Sequence, residues 1–133
     1  MANTNIRATL NKDIQIVWDI VTSLENYSWR SDLREIEVLK NERGFIEHTK
    51  GGYSTRFVIT AFEPIQRYEF DIENKNMTGH WVGLFSSQNG RTVIDFTENI
   101  QVKNILMKPF AKIYLKKQQA AYIRDLEQYL RTI

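Results

Sequence analysis

The middle of this chain is a series of strand-length runs cut by turn signals, and its end is one uninterrupted helical segment. That order constrains the fold more than any single residue does. Glu42-Arg43-Gly44, Gly51-Gly52, Asn74-Lys75-Asn76 and Asn89-Gly90 are the turn signals, and connections this short join only antiparallel neighbours. Between them Tyr68, Phe70 and Ile72 alternate with Arg67, Glu69, Asp71 and Glu73, which gives a strand one core face and one wetted face. Ile94, Phe96 and Ile100 read the same way after Asn89-Gly90. From Asn104 onward there is no glycine, and the only proline is Pro109, early enough for a first helical turn. A helix of about 25 residues would run about 37 Å, enough to cross a whole sheet. Its inward stripe is expected at Met107, Phe110, Tyr114, Gln118, Tyr122, Leu126, Tyr129 or Leu130, and Ile133.

Ahead of the sheet, Ile6, Ala8 and Leu10 alternate with Arg7 and Thr9 as a first strand. Asp13 is an N-cap, and Ile14, Val17, Trp18 and Val21 follow at helical spacing, so a first helix reaches about Ser23. From Leu24 to Leu33, Tyr27 and Trp29 stand among polar neighbours, and a second short helix is expected there. The fold class is therefore α+β: a curved antiparallel sheet gripping a long C-terminal helix, with two short helices after the first strand.

At 133 residues and 15.7 kDa, residues 1–133 are expected to form one domain that needs no covalent staple. With no cysteine, disulfides, thiolate metal sites and thiol nucleophiles are excluded. The N-terminus lacks the pattern of a secretion signal, and no apolar run approaches the roughly 18 residues of a membrane span. A cytoplasmic protein without stable membrane insertion is expected. A net charge of only +2, from 18 Lys and Arg against 16 Asp and Glu, predicts no nucleic-acid partner. His48 and His80, the only histidines, lack metal-ligand spacing, and Ser86-Ser87 lacks the G-x-S-x-G elbow, so no metal or other cofactor is expected.

The stretch VWDIVTSLENYSWRSDL after a first strand, the ITAFEPIQRYEF pair and the terminal KNILMKPFAKIYLKKQQAAYIRDLEQYL segment together resemble the SRPBCC superfamily, which includes START lipid-transfer domains and polyketide cyclase-like proteins. The likeness covers nearly the whole chain and is carried by Val17-Trp18, Trp29, Phe62-Glu63-Pro64 and Arg67-Tyr68. It implies a helix-grip fold, in which six or seven antiparallel strands curl around the C-terminal helix and enclose a cavity. Members mostly bind apolar or amphipathic molecules, and some carry out cyclisation, dehydration or hydrolysis. None of the matching pieces is a catalytic motif, so fold does not select the job.

Candidate site residues follow from strand parity and helical spacing. Trp29, Phe57, Tyr68, Trp81, Phe96, Tyr114 and Tyr122 are expected to wall the cavity, although core packing explains any one of them. Arg30, Glu98 and Gln118 are the polar candidates. Arg30 offers a planar fork for an anionic ligand, against the plainer reading of a surface pair with Asp32. Glu98 shares parity with Phe96 and would have a raised pKa if buried, against the reading of a strand-end glutamate in water. A small rotation of the helix would send Gln118 to solvent and set Leu115 and Gln119 against the core instead. Gly79 and Gly83 flank Trp81, with sheet curvature as the expected reason and close approach of another element or a ligand as the alternative. Lys108, Lys112 and Lys116 form one stripe, read as a solvated face, with anionic lipid headgroups or nucleic-acid phosphate as its other uses. The leading expectation is binding of a small apolar or amphipathic molecule. A cyclase or dehydratase using Glu98 or His80, and a protein-interaction module like the chaperone-activating members, are the alternatives.

Overall fold

A computed structural model describes residues 2–40 and 43–133. In chain order the elements are β1 (Ala2–Leu10), α1 (Ile14–Thr22), β2 (Leu33–Leu39), β3 (Gly44–Thr49), β4 (Ser54–Glu63), β5 (Arg67–Glu73), β6 (Met77–Gln88), β7 (Arg91–Val102), a single 3-10 turn (Ile105–Met107) and α2 (Lys108–Leu130). The strands form one antiparallel sheet in the order β1-β7-β6-β5-β4-β3-β2. The meander from β2 to β7 follows from its short turns. Asn89 and Gly90 both take positive φ, 52° and 78°, as the two-residue turn that matches strand twist requires. At the β5–β6 turn, Asn74 Oδ1 accepts from the N–H groups of Asn76 (2.8 Å) and Met77 (2.9 Å). The signal at Glu42-Arg43-Gly44 lies partly outside the described residues, but β2 and β3 do pair, through Leu39 and Gly44.

β1 pairs with β7, whereas β2 occupies the opposite edge, so the segment joining β1 to β2 must cross the sheet. Its first part is α1, capped by Asp13, whose carboxylate accepts from the N–H of Gln15 at 3.0 Å. The helix buries Val17, Trp18 and Ile20 on the inner face of the sheet. Trp18 meets Phe85 edge-on at 4.9 Å and Phe62 at 5.3 Å.

The second short helix expected over Leu24–Leu33 is not formed. Residues 23–32 are turns and bends, and Leu33 already begins β2. Side chains capture the backbone groups that a helix would have used. Ser23 Oγ accepts from the N–H of Asn26 (3.0 Å), and Ser31 donates its N–H (2.8 Å) and its hydroxyl (2.7 Å) to Asp125 of α2.

α2 is long, as expected, but the face it buries is not the expected one. Ala111, Leu115, Gln119, Ile123, Leu126 and Leu130 point inward, while Met107, Phe110, Tyr114 and Gln118 are exposed. Each helical residue turns the side chain by about 100°, so the stripe beginning at Phe110 is displaced by one position over the first half of α2. Both stripes carry one glutamine, so polarity in the sequence did not separate them. The small Ala111 faces the sheet, and α2 lies over β1 and β7 rather than across the middle of the sheet.

Two apolar clusters result. One gathers Leu10, Val17, Trp18, Tyr68, Phe85, Ile94, Phe96, Ile123 and Leu126 at the α1 end. The other gathers Phe45, Phe57, Ile72, Ile100 and Leu115. Asp125, 7% exposed, ties the crossing segment to α2. Asp125→Ala removes the acceptor of two bonds and is expected to cost about 1–3 kcal/mol, read as a lowered midpoint in urea unfolding with an unchanged m-value.

Candidate functional site

A band of mixed side chains lies between the two clusters on the inner face. Cross-strand register sets its level: Thr4, Glu98, Trp81 and Phe70 are successive partners on β1, β7, β6 and β5. Along β7 the neighbours of Glu98 on the same face, Phe96 and Ile100, are both 2% exposed. By contrast Phe70, Trp81, Glu98 and, on β3, Glu47 are only part-buried although they face inward. The inner face is thus fully buried in its two clusters and only part-buried in the band between them.

Trp81 owes its position to Gly83. A Cβ at residue 83 would lie 2.7 Å from Trp81 Cζ3 and 3.2 Å from Phe96 Cε1, so the indole folds into space that only glycine leaves empty. The expected reason for this glycine was curvature; the structure shows close approach of the neighbouring indole. The ring stacks on Phe70 with centroids 4.7 Å apart and planes 5° from parallel.

Arg30 comes from the crossing segment and is the centre of the polar chemistry. Its guanidinium donates to Glu47 at 2.8 and 3.3 Å and to Asp32 at 2.9 and 3.2 Å. Its side chain is 15% exposed, and its Cζ lies 5.2 Å from the centroid of Tyr122. The surface pair with Asp32 therefore exists, but the buried partner is Glu47, which sequence reading missed. The parity logic applied to Glu98 would have found it, since Glu47 shares a face with Phe45. Burial opposes the charge on Arg30, yet Glu47 and Asp32 hold its pKa above the ordinary value. Burial drives the Tyr68 hydroxyl up, with Glu47 adding to the shift. The Tyr122 hydroxyl also rises, although Arg30 pulls the other way.

Glu98 is shifted as well. Desolvation, reinforced by the Glu47 carboxylate, pushes its pKa up to about 7. Among the described residues, two enclosed polar atoms lack a hydrogen-bond partner, Thr4 Oγ1 and Gln119 Nε2. Thr4 stands opposite Glu98 across the strand pair.

The remaining expected site residues separate into four places. Phe57, Tyr68 and Phe96 are 8%, 3% and 2% exposed and belong to the closed clusters on either side of the band. Trp29 packs on Tyr122 at 5.3 Å and stacks on Tyr129 at 6.1 Å, fixing the crossing segment against α2. Tyr114, 55% exposed, stands at the rim, its hydroxyl raised by burial and by Tyr53, Glu98 and Asp32. Gln118 lies outside, donating to Tyr114 Oη at 2.8 Å, and Gln119 takes the inward place.

His80 is on the outer face of the sheet, where it bridges Asp71 (2.7 Å) and Glu69 (2.8 Å). Burial alone would lower its pKa, but the two carboxylates outweigh that and raise it. Among the described residues no cluster of His, Cys, Asp and Glu is arranged to hold a metal. Two depressions, of about 320 and 330 Å³, lie along α2 beside Ile6 and at the Tyr53 and Lys75 turns, away from the Arg30 and Glu98 groups.

With this geometry in place, comparison with known proteins is informative. Residues 1–131 match the model of the family described as polyketide cyclase / dehydrase and lipid transport. The chain belongs to that family. No curated protein sequence matches it. A START superfamily protein from Mycobacterium smegmatis superposes with a TM-score of 0.84 at 12% identity, covering 99% of each chain. A conserved protein from Geobacillus kaustophilus gives 0.83 at 12% identity, covering 98% of this chain and 95% of its own. DynU16, from the dynemicin biosynthetic locus, gives 0.81 at 12% identity over 99% of this chain and 48% of its own. These likenesses establish the SRPBCC helix-grip fold.

Two outcomes test the electrostatics. Arg30→Met strands the Glu47 carboxylate and is expected to cost about 3–5 kcal/mol, with much of the loss recovered in an Arg30→Met/Glu47→Met double variant, measured by chemical denaturation. Glu98 binds its proton more tightly folded than unfolded, so its stabilising contribution is complete below its ordinary pKa of 4.5 and is lost as pH rises through about 7. Glu98→Gln should therefore be more stable than the parent by about 1–3 kcal/mol at pH 8 and close to it near pH 4, measured by urea unfolding at both values.

Proposed function

We propose that this chain binds a small apolar or amphipathic molecule in a cleft at this band, between the sheet and α2. The observation that carries the reading is the partly exposed inner-face band of Phe70, Trp81 and Glu98 between clusters that are otherwise shut. Apolar surface facing inward without full burial is surface that a ligand can remove from water, at roughly 25 cal/mol per Å². Trp81 and Phe70 supply flat walls, and Tyr122 the aromatic side nearest α2. The family description, with its cyclases and lipid transport, supports a ligand of this kind.

The polar groups narrow the class further. Arg30 is already engaged by two carboxylates, so an anionic headgroup would meet no spare charge from it and would face Glu47 and Glu98. An uncharged hydroxyl or carbonyl fits better. It can take a hydrogen bond from the protonated Glu98, which Thr4 faces across the strand pair.

Glu98 favours one further reading. A carboxyl with a pKa about 7 that faces a partly dry cleft can exchange a proton with a bound ligand near neutrality. In that reading the bound molecule is a substrate for a cyclisation or dehydration.

Gently purified protein examined by native mass spectrometry, with its denatured mass and organic extract, tests the first reading. A reproducible adduct whose extract is uncharged and mainly apolar is expected, and Trp81→Ala should lose it. No adduct, together with no change in tryptophan fluorescence across a series of uncharged apolar probes, would defeat the proposal. For the second reading, Glu98→Gln should still bind the extracted molecule but no longer convert it; equal conversion would remove Glu98 from that role.

A further inference from the structure

The start of α2 carries an apolar surface that the fold leaves uncovered. Ile105, Leu106, Met107, Phe110, Ile113 and Tyr114 are each more than half exposed, led by Leu106 at 75% and Ile105 at 72%. Six large apolar side chains within ten residues are far more than the scattered exposure expected of a surface. They arise because α2 buries only Ala111, Leu115 and Gln119 in its first three turns. Phe110, Ile113 and Tyr114 lie at i, i+3 and i+4 on an outward stripe, and the preceding 3-10 turn projects Ile105 and Leu106 beyond the helix start.

The charge around this surface is one-sided. Residues 103–124 hold six Lys and Arg and no Asp or Glu, leaving 12 cations against 16 anions in the rest of the chain. A strongly cationic segment therefore sits on a body of net negative charge. Lys108, Lys112, Lys116 and Lys117 form no salt bridge among the described residues. Lys116 borders the apolar stripe at i+3 from Ile113, and Lys117 continues it at i+7 from Phe110.

We propose that this face docks on an anionic lipid bilayer, with Ile105, Leu106 and Phe110 entering the interface and the lysines reaching the headgroups. An amphipathic, lysine-bordered helix whose first four turns carry no acidic residue lies in the plane of a membrane rather than across it, and no helix among the described residues is long and apolar enough to cross one. Apolar burial and attraction between lysine and anionic lipid act together on one surface. A second copy is the poorer occupant, since a two-fold pairing would oppose the same lysines. Tyr53, 59% exposed, is close enough to Tyr114 to help raise its pKa, so the docking face continues onto the β3–β4 turn beside the cleft rim.

Cosedimentation with large unilamellar vesicles tests this. The full chain should pellet with vesicles of phosphatidylcholine and phosphatidylserine, bind vesicles of phosphatidylcholine alone at least roughly tenfold more weakly, and lose binding as salt rises. Leu106→Ser/Phe110→Ser and Lys116→Glu/Lys117→Glu should each reduce binding by roughly tenfold or more while keeping the parental circular dichroism. Absence of binding to anionic vesicles, or binding unchanged in both variants, overturns the proposal. So does a solution dimer that Leu106→Ser/Phe110→Ser dissolves, which would assign the face to a second copy. Trp81→Ala separates this from ligand binding: it should empty the cleft and leave vesicle binding intact.

Discussion

A guanidinium withdrawn from water must take its countercharges with it, and in this protein that requirement organises the interior. Arg30 arrives on a segment with no regular structure, yet it is held by Asp32 beside it and by Glu47 on β3. Asp125 of α2 fixes the same segment through the backbone and hydroxyl of Ser31. Three parts of the molecule, the crossing segment, the far half of the sheet and the terminal helix, thus converge on one ion pair and one buried carboxylate. Removing a single partner leaves a desolvated charge, which is why such sites are costly to break even where they contribute little net stability.

The same arrangement gives the cleft its chemical character. Burial raises the pKa of Glu98, Tyr68 and Tyr122, and the Glu47 carboxylate adds to each shift. A carboxyl pushed up to about 7 and two tyrosyl hydroxyls are hydrogen-bond donors, set among Trp81, Phe70 and Phe96. The interior thus favours neutral oxygen acceptors over anions. The outside of α2 has the opposite preference, with lysines beside uncovered apolar residues. A path between a bilayer and the cleft would run past Tyr114, which stands at the rim.

Local pattern accounted for much of the fold. Alternation on β5 and β7, the Asn89-Gly90 turn, the Asp13 cap and the glycine-free C-terminal segment each specify an element through interactions a few residues apart. Parity placed Trp81 and Glu98 on the inner face, and the same reasoning applied to β3 would have added Glu47. Where the pattern was ambiguous, local reasoning erred. Leu24–Leu33 has the composition of a short helix, but Asp125, distant in sequence, captures Ser31. The stripes beginning at Phe110 and Ala111 differ by one position, and the choice depended on which residue could approach β1 and β7. His80 went to the outer face because β6 pairs it with Asp71 on the wetted side of β5.

The sequence by itself determined the α+β class, the antiparallel order from β2 to β7, the helical ends and the inward faces of the central strands, since turn chemistry and the periods of strand and helix act locally. Only the tertiary structure decided which face of α2 is buried, that Arg30 pairs with Glu47, that Gly83 makes room for an indole, and that the helix start stays bare. Each of these depends on distances between segments far apart in the chain, where burial and charge pairing act through space rather than along the sequence.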